Sequence, residues 1–160
     1  MSPISLISLD FSGVAGSLYS PSMTTASEAT SQGYQARKDG KFSMAREHYA
    51  DAAKLYREQN DLLAYAHTIR HIADIYQQER NPLPAKPLYE EALEIYRSNL
   101  QTKLLDLANT VRPYALLMEK QGDSALAMKL WEEARNLYGS LRMNEAVFEC
   151  NAHIADLQKF

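Results

Sequence analysis

Four small residues, Gly33, Ala73, Ala115 and Ala155, recur at separations of 40, 42 and 40 residues. Twelve residues beyond the first three stand Ala45, Ala85 and Ala127, and sixteen beyond stand Tyr49, Tyr89 and Trp131. Nineteen beyond come Ala52, Ala92 and Ala134, followed by Leu55, Ile95 and Leu137 and then by Tyr56, Tyr96 and Tyr138. Six positions thus agree in size and type across three units, and a fourth unit begins near Glu145. A period of this length implies stacked supersecondary units in place of one enclosed core. The residue types fit that reading. A Gly or Ala midway along one helix, with an Ala twelve residues on, lets two antiparallel helices approach closely. The aromatic residue fills the space beside that contact, the second Ala admits the next unit, and Leu or Ile with Tyr covers the joint.

The segments between these positions are rich in Ala, Leu, Glu, Lys, Arg and Tyr, which suit helix, and none alternates as a strand does. Helices are predicted near 25–39, 43–59, 61–79, 83–98, 103–121, 124–139 and 144–159. Thr25-Ala26-Ser27-Glu28 has the form of a capping box. Breaks are expected at Asp39-Gly40, Asn60-Asp61, Asn81-Pro82-Leu83-Pro84, Gly122-Asp123, and finally Gly139 and Asn144. Residues 1–24 differ, being rich in Ser, Gly and Thr without lasting periodicity. They read as a flexible tail; the alternative is a docking segment, because Ile4, Leu6, Ile7, Leu9, Phe11 and Val14 are apolar.

Spacing and residue type together resemble the tetratricopeptide repeat superfamily. The units are longer than that family's usual 34 or so residues, and Ala85–Tyr96 looks most like the long-repeat, kinesin-light-chain type. The resemblance implies an all-α superhelix of three helix pairs plus a C-terminal capping helix. The units would span about 26–60, 66–100 and 108–142, with a half unit at 145–160. Three features depart from the family. Ala29 stands where unit two has Ile69 and unit three Val111, which makes the first helix weakly apolar. Arg57, Arg97 and Gly139 stand where the family ends its second helix with Pro. Pro113 falls inside the first helix of unit three, so that helix either kinks or starts late, near Asn109.

In this family the first helix of each unit lines a concave groove. The resemblance therefore implies that the second, fifth, ninth and twelfth residues of each unit face a ligand. These are Ser27, Thr30, Tyr34 and Arg37; then His67, Arg70, Asp74 and Gln77; then Asn109, Arg112, Leu116 and Glu119. Arg70 and Arg112 share a position in adjacent units, and two neighbouring guanidinium forks suit a carboxylate or acidic peptide. The competing reading pairs each internally, Arg70 with Asp74 one turn on and Arg112 with Asp106. A well-known subtype grips a C-terminal carboxylate with Lys, Asn, Asn, Lys and Arg. Thr30, Tyr34, His71, Asn109 and Pro113 stand at those positions, so that clamp is not implied.

The remaining chemistry is sparse. His67 and His71 have the i, i+4 spacing of metal ligands, but Arg70 lies beside them and no HExxH pattern is completed. Gly40-Lys41 lacks the Ser or Thr of a P-loop. Glu90-Glu91 and Glu132-Glu133 read as solvated helix faces, Cys150 as a buried structural thiol, and His48 and His153 as lacking a clear partner. A net charge of −3 argues against a general nucleic-acid binder. No apolar run is long enough to span a bilayer, and the N-terminus lacks the positive region of a secretory signal. A single cysteine makes the cytoplasm the expected compartment. The expectation is a non-catalytic module, with no cofactor or metal, that binds a protein or peptide ligand in its groove, acidic groups on that ligand suiting the two arginines. The site residues are Tyr34, Arg37, His67, Arg70, Asp74, Gln77, Asn109, Arg112 and Glu119. The alternative is a self-associating unit, a homodimer formed through the N-terminal tail or through the last helix with its stripe of Val147, Cys150, Ile154 and Leu157.

Overall fold

The computed structural model describes residues 23–159; the tail, or docking segment, that ends at residue 24 lies almost wholly outside the described residues. Seven helices make up the described chain: α1 (Ala26–Lys38), α2 (Phe42–Glu58), α3 (Leu62–Gln78), α4 (Ala85–Ser98), α5 (Leu104–Lys120), α6 (Ser124–Ser140) and α7 (Asn144–Leu157). Among the described residues there is no strand.

Local chemistry accounts for most of the boundaries. The Thr25 hydroxyl accepts the Glu28 amide, and the Glu28 carboxylate accepts the Thr25 amide, closing the box at the start of α1. Asp61 and Asp123 accept the amides of Ala64 and Leu126 and cap α3 and α6. Five helices end alike. Gly40, Asn60, Arg80, Gly122 and Arg142 take positive φ. The next amide in each case returns to a carbonyl five residues back, as in Lys41 to Ala36 and Met143 to Tyr138. These are Schellman ends, which satisfy carbonyls the helix leaves open. Helix α6 ends one residue beyond Gly139, at Ser140, and Arg142 makes the left-handed turn. Helix α4 is the exception, leaving through an extended Asn99 into the five-residue connection to α5.

Consecutive helices pack in pairs, α1 on α2, α3 on α4 and α5 on α6, and α7 packs on α6 as the first helix of a further unit. Buried apolar residues fall into three clusters along the array, with no single centre. The repeated residues supply them: Ala45, Ala85, Ala127, Ala52, Ala92 and Ala134 are wholly buried, as are or nearly are Tyr49, Tyr89 and Trp131. The weakly apolar α1 is seated by small residues, Ala26, Ala29, Gly33 and Ala36, all buried. Helix α5 runs unbroken through Pro113, so the late start near Asn109 is corrected. Placed at the sixth position of its unit, Pro113 removes one amide and keeps a carbonyl that the neighbouring unit uses (below). No helix of the described residues is long and apolar enough to cross a membrane.

Candidate functional site

The first helices α1, α3, α5 and α7 lie in sequence along one face, and a single stagger relates them. With Ala155 aligned to Ala73 and Ala115, the twelfth residue of each unit reaches the sixth of the next. Arg37 approaches Nδ1 of His71 at 3.2 Å. Gln77 donates to the Pro113 carbonyl at 2.9 Å. Glu119 meets Nδ1 of His153 at 2.9 Å. The repeated aromatic residue reinforces each seam: Tyr49 stacks on His71, Tyr89 on Tyr114 and Trp131 on His153. Gln77 also donates to the Tyr89 hydroxyl, and Trp131 Nε1 donates to Glu119 at 2.8 Å. His153, without a partner in the sequence reading, therefore has two, which lie 22 and 34 residues away and are joined to it only by the stacking of units.

The first seam continues into a polar chain. His71 meets Arg37 through Nδ1, and its Nε2 lies 3.0 Å from Nε2 of His67. His67 then turns Nδ1 toward Asp106, 4.0 Å away. Burial, aided by the Arg70 guanidinium 3.3 Å from Nε2, pushes His71 down to about 2. Burial, then Arg70, also lowers His67. Among the described residues no group of three or more His, Cys, Asp and Glu gathers around a common point to hold a metal.

Asp74 sits at the centre of the groove. Its carboxylate accepts from Arg70 at 2.7 Å and from the Tyr89 hydroxyl at 2.6 Å. Burial holds this carboxyl above the ordinary aspartate value, although Arg70, Tyr89 and Arg37 all oppose the shift. Arg112 grips Glu149 in a two-pronged pair at 2.8 and 2.7 Å. Its expected partner, Asp106, faces His67 of the preceding unit instead. Asn109 accepts the Tyr138 hydroxyl at 2.8 Å. The glutamates read as solvated also bridge helices: Glu90 accepts from Tyr114, Glu91 from Tyr65, and Glu133 from Arg97.

Six of the nine candidate residues, Arg37, Arg70, Asp74, Gln77, Asn109 and Arg112, line one open cavity of about 360 Å³ with Gln78, Pro113, Leu116 and Lys120. A second cavity of about 540 Å³ shares Asn109 and Arg112 and adds Tyr138, Met143, Asn144 and Glu149. Tyr34, 60% exposed, and His67 and Glu119 line neither. Lys120 and Glu149 were missed by the sequence reading. Counting one residue past the twelfth position finds the first, and extending the count into the half unit finds the second. Tyr138 and Met143 come from α6 and its exit turn, which first-helix counting cannot reach. Nε of Arg70 is buried without a hydrogen-bond partner beside this groove.

The tetratricopeptide repeat family model matches residues 26–98. No curated protein matches the chain.

Proposed function

Residues 26–98 belong to the tetratricopeptide repeat family, whose units are generally non-catalytic protein–protein interaction modules, and on that premise we propose that this chain holds an extended segment of a partner protein in its concave groove. The observation that carries the reading is the sharing of Asn109 and Arg112 between two adjoining cavities. Together their lining runs from Arg37 to Glu145. Arg70 and Arg112 already hold carboxylates, Asp74 and Glu149. They differ in depth: the side chain of Arg70 is 14% exposed and that of Arg112 44%. Arg112 is thus the group that can trade an internal carboxylate for an acidic side chain of the ligand, at modest cost and with marked salt dependence. Arg70 holds the buried Asp74 and shapes the floor.

The test is affinity capture from native lysate with wild-type chain, Arg112→Ala, and Arg70→Ala with Arg112→Ala, each first checked for native helicity. Partners retained by wild type and lost from Arg112→Ala are groove ligands. Undiminished capture by a folded double variant sinks the site assignment.

A further inference from the structure

A third cavity, of about 370 Å³, opens between α1, α3 and the start of α5 and shares no lining residue with the two cavities of the groove. The repeat explains its origin. The fifth position of units two and three carries Arg70 and Arg112, whereas unit one has Thr30. Thr30 folds its hydroxyl back onto the Ala26 carbonyl at 2.8 Å, so no long side chain from that position fills the joint between units one and two. The partly buried Tyr56, Leu63 and Ala64 give the cavity an apolar floor, and the exposed Gln101 and Lys103 stand at its rim. The one carboxylate in the lining, Asp106, faces His67. Lys103 makes no salt bridge among the described residues.

We propose that the chain's own N-terminal segment fills this cavity, with Ile7, Leu9 and Phe11 on the floor and Asp10 toward Lys103. Three observations select that occupant. The first is where the segment enters the fold. Residues 1–22 lie outside the described residues and lead into α1 through its cap, Thr25. Thr30, on the cavity wall, is only roughly 7.5 Å further along the helix. The stretch from Phe11 to Thr25 can span up to about 50 Å, so the segment turns back with length to spare. Such a tether holds it at a local concentration on the order of millimolar, which fills a weak site within one chain. The second is pattern. In an extended segment Ile7, Leu9 and Phe11 share one side, while Ser8, Asp10 and Ser12 share the other. The third is charge. Asp10 is the single charged side chain in residues 1–24, and it is opposite in sign to the unmatched Lys103. The acidic ligand proposed for the groove finds no arginine at this joint, so the cavity suits a nearly neutral occupant. Docking here leaves the two groove cavities open, and the proposal therefore stands or falls apart from the groove reading.

Disulfide trapping in the full chain at low micromolar concentration tests this; Cys150 is buried and stays out of the exchange. Ser8→Cys with Gln101→Cys is expected to link within one chain on mild oxidation, giving a monomer of altered mobility. Adding Leu9→Asp and Phe11→Asp, changes outside the helical array, is expected to abolish the link with helicity and Tm of the array retained. Ser8→Cys with Gln32→Cys is the control for tethering alone, because Gln32 is exposed, lies as near to Thr25 as Thr30 does, and lines none of the three cavities. It is expected to link far more slowly. Equal rates at Gln101→Cys and Gln32→Cys overturn the proposal, as does a link that survives Leu9→Asp with Phe11→Asp, or no link at all. A linked dimer in place of the linked monomer also overturns it, since the occupant would then be the segment of another copy.

Discussion

Gly33 lies against the root of the Tyr49 ring: a β-carbon on Gly33 would stand 2.9 Å from Cγ and 3.0 Å from each Cδ atom. Real β-carbons do not come so close to a ring held from both sides, so α1 approaches α2 to a distance only glycine permits. Gly33→Ala must push Tyr49 off its place on His71. Overpacking costs about 1–3 kcal/mol and the better helix former returns about 1. We expect a net loss near 1 kcal/mol, read as a lower Tm. Gly139→Ala is the control: nothing lies within 4 Å of a β-carbon there. In α6 that change is expected to stabilise by about 0.5 kcal/mol. Equal effects at the two sites would disprove the close approach.

The single tryptophan reports on the last seam. Trp131 is buried and donates to Glu119, which also meets His153. Glu119→Ala leaves the indole N–H without an acceptor, at a cost of about 1–3 kcal/mol. Glu119→Gln keeps an acceptor and loses less. The emission of Trp131 should shift red in the Ala variant well below its global unfolding temperature, as α7 loosens first. Coincident transitions would show that Glu119 is not the link.

Acidification should weaken the first seam. His71 titrates at about 2 in the folded chain, against an ordinary 6.5. Between those values the unfolded chain binds a proton that the folded chain refuses, so stability is whole above pH 6.5 and falls as pH drops. The slope from one such histidine is about 1.4 kcal/mol per pH unit. Thermal unfolding from pH 7 to pH 5 should therefore show a falling Tm, and His71→Phe, which keeps a ring for Tyr49, should flatten the fall. An unchanged slope in that variant would assign the acid sensitivity to other groups.

Cys150 should be inert while the fold holds. Burial, then Glu149, pushes its thiol from 9.0 up to about 11. That alone lowers the thiolate fraction at neutral pH by ~100-fold, and burial excludes the reagent as well. Labelling by a thiol reagent should be slow in the native chain and complete in denaturant; rapid native labelling would mean that α7 opens freely.

The helix ends show which features a sequence displays. Asp61, Gly122 and Asp123 are residues whose own chemistry stops or starts a helix, and the boundaries fell within two residues of expectation. The end of α6 falls one residue beyond expectation, and the left-handed turn after it is made by Arg142, a residue that does not advertise one, while Gly139, which usually does, stays helical. The groove was legible in membership and opaque in pairing. Counting along each unit finds Arg112, yet its partner depends on how far one unit slides past the next. That slide is set by Tyr49, Tyr89 and Trp131 wedging against the following helix, a distance no spacing within one unit encodes.

The three seams share a geometry and differ in chemistry. Guanidinium meets imidazole at the first, amide meets a proline carbonyl at the second, and carboxylate meets imidazole at the third. Transposing units two and three would set Arg37 against the Pro113 carbonyl, Glu119 against His71 and Gln77 against His153, each again a donor facing an acceptor. The joints thus share one polar complementarity carried by different groups. A chimera that reorders the units and keeps every helix and every alanine is expected to close its seams with new partners.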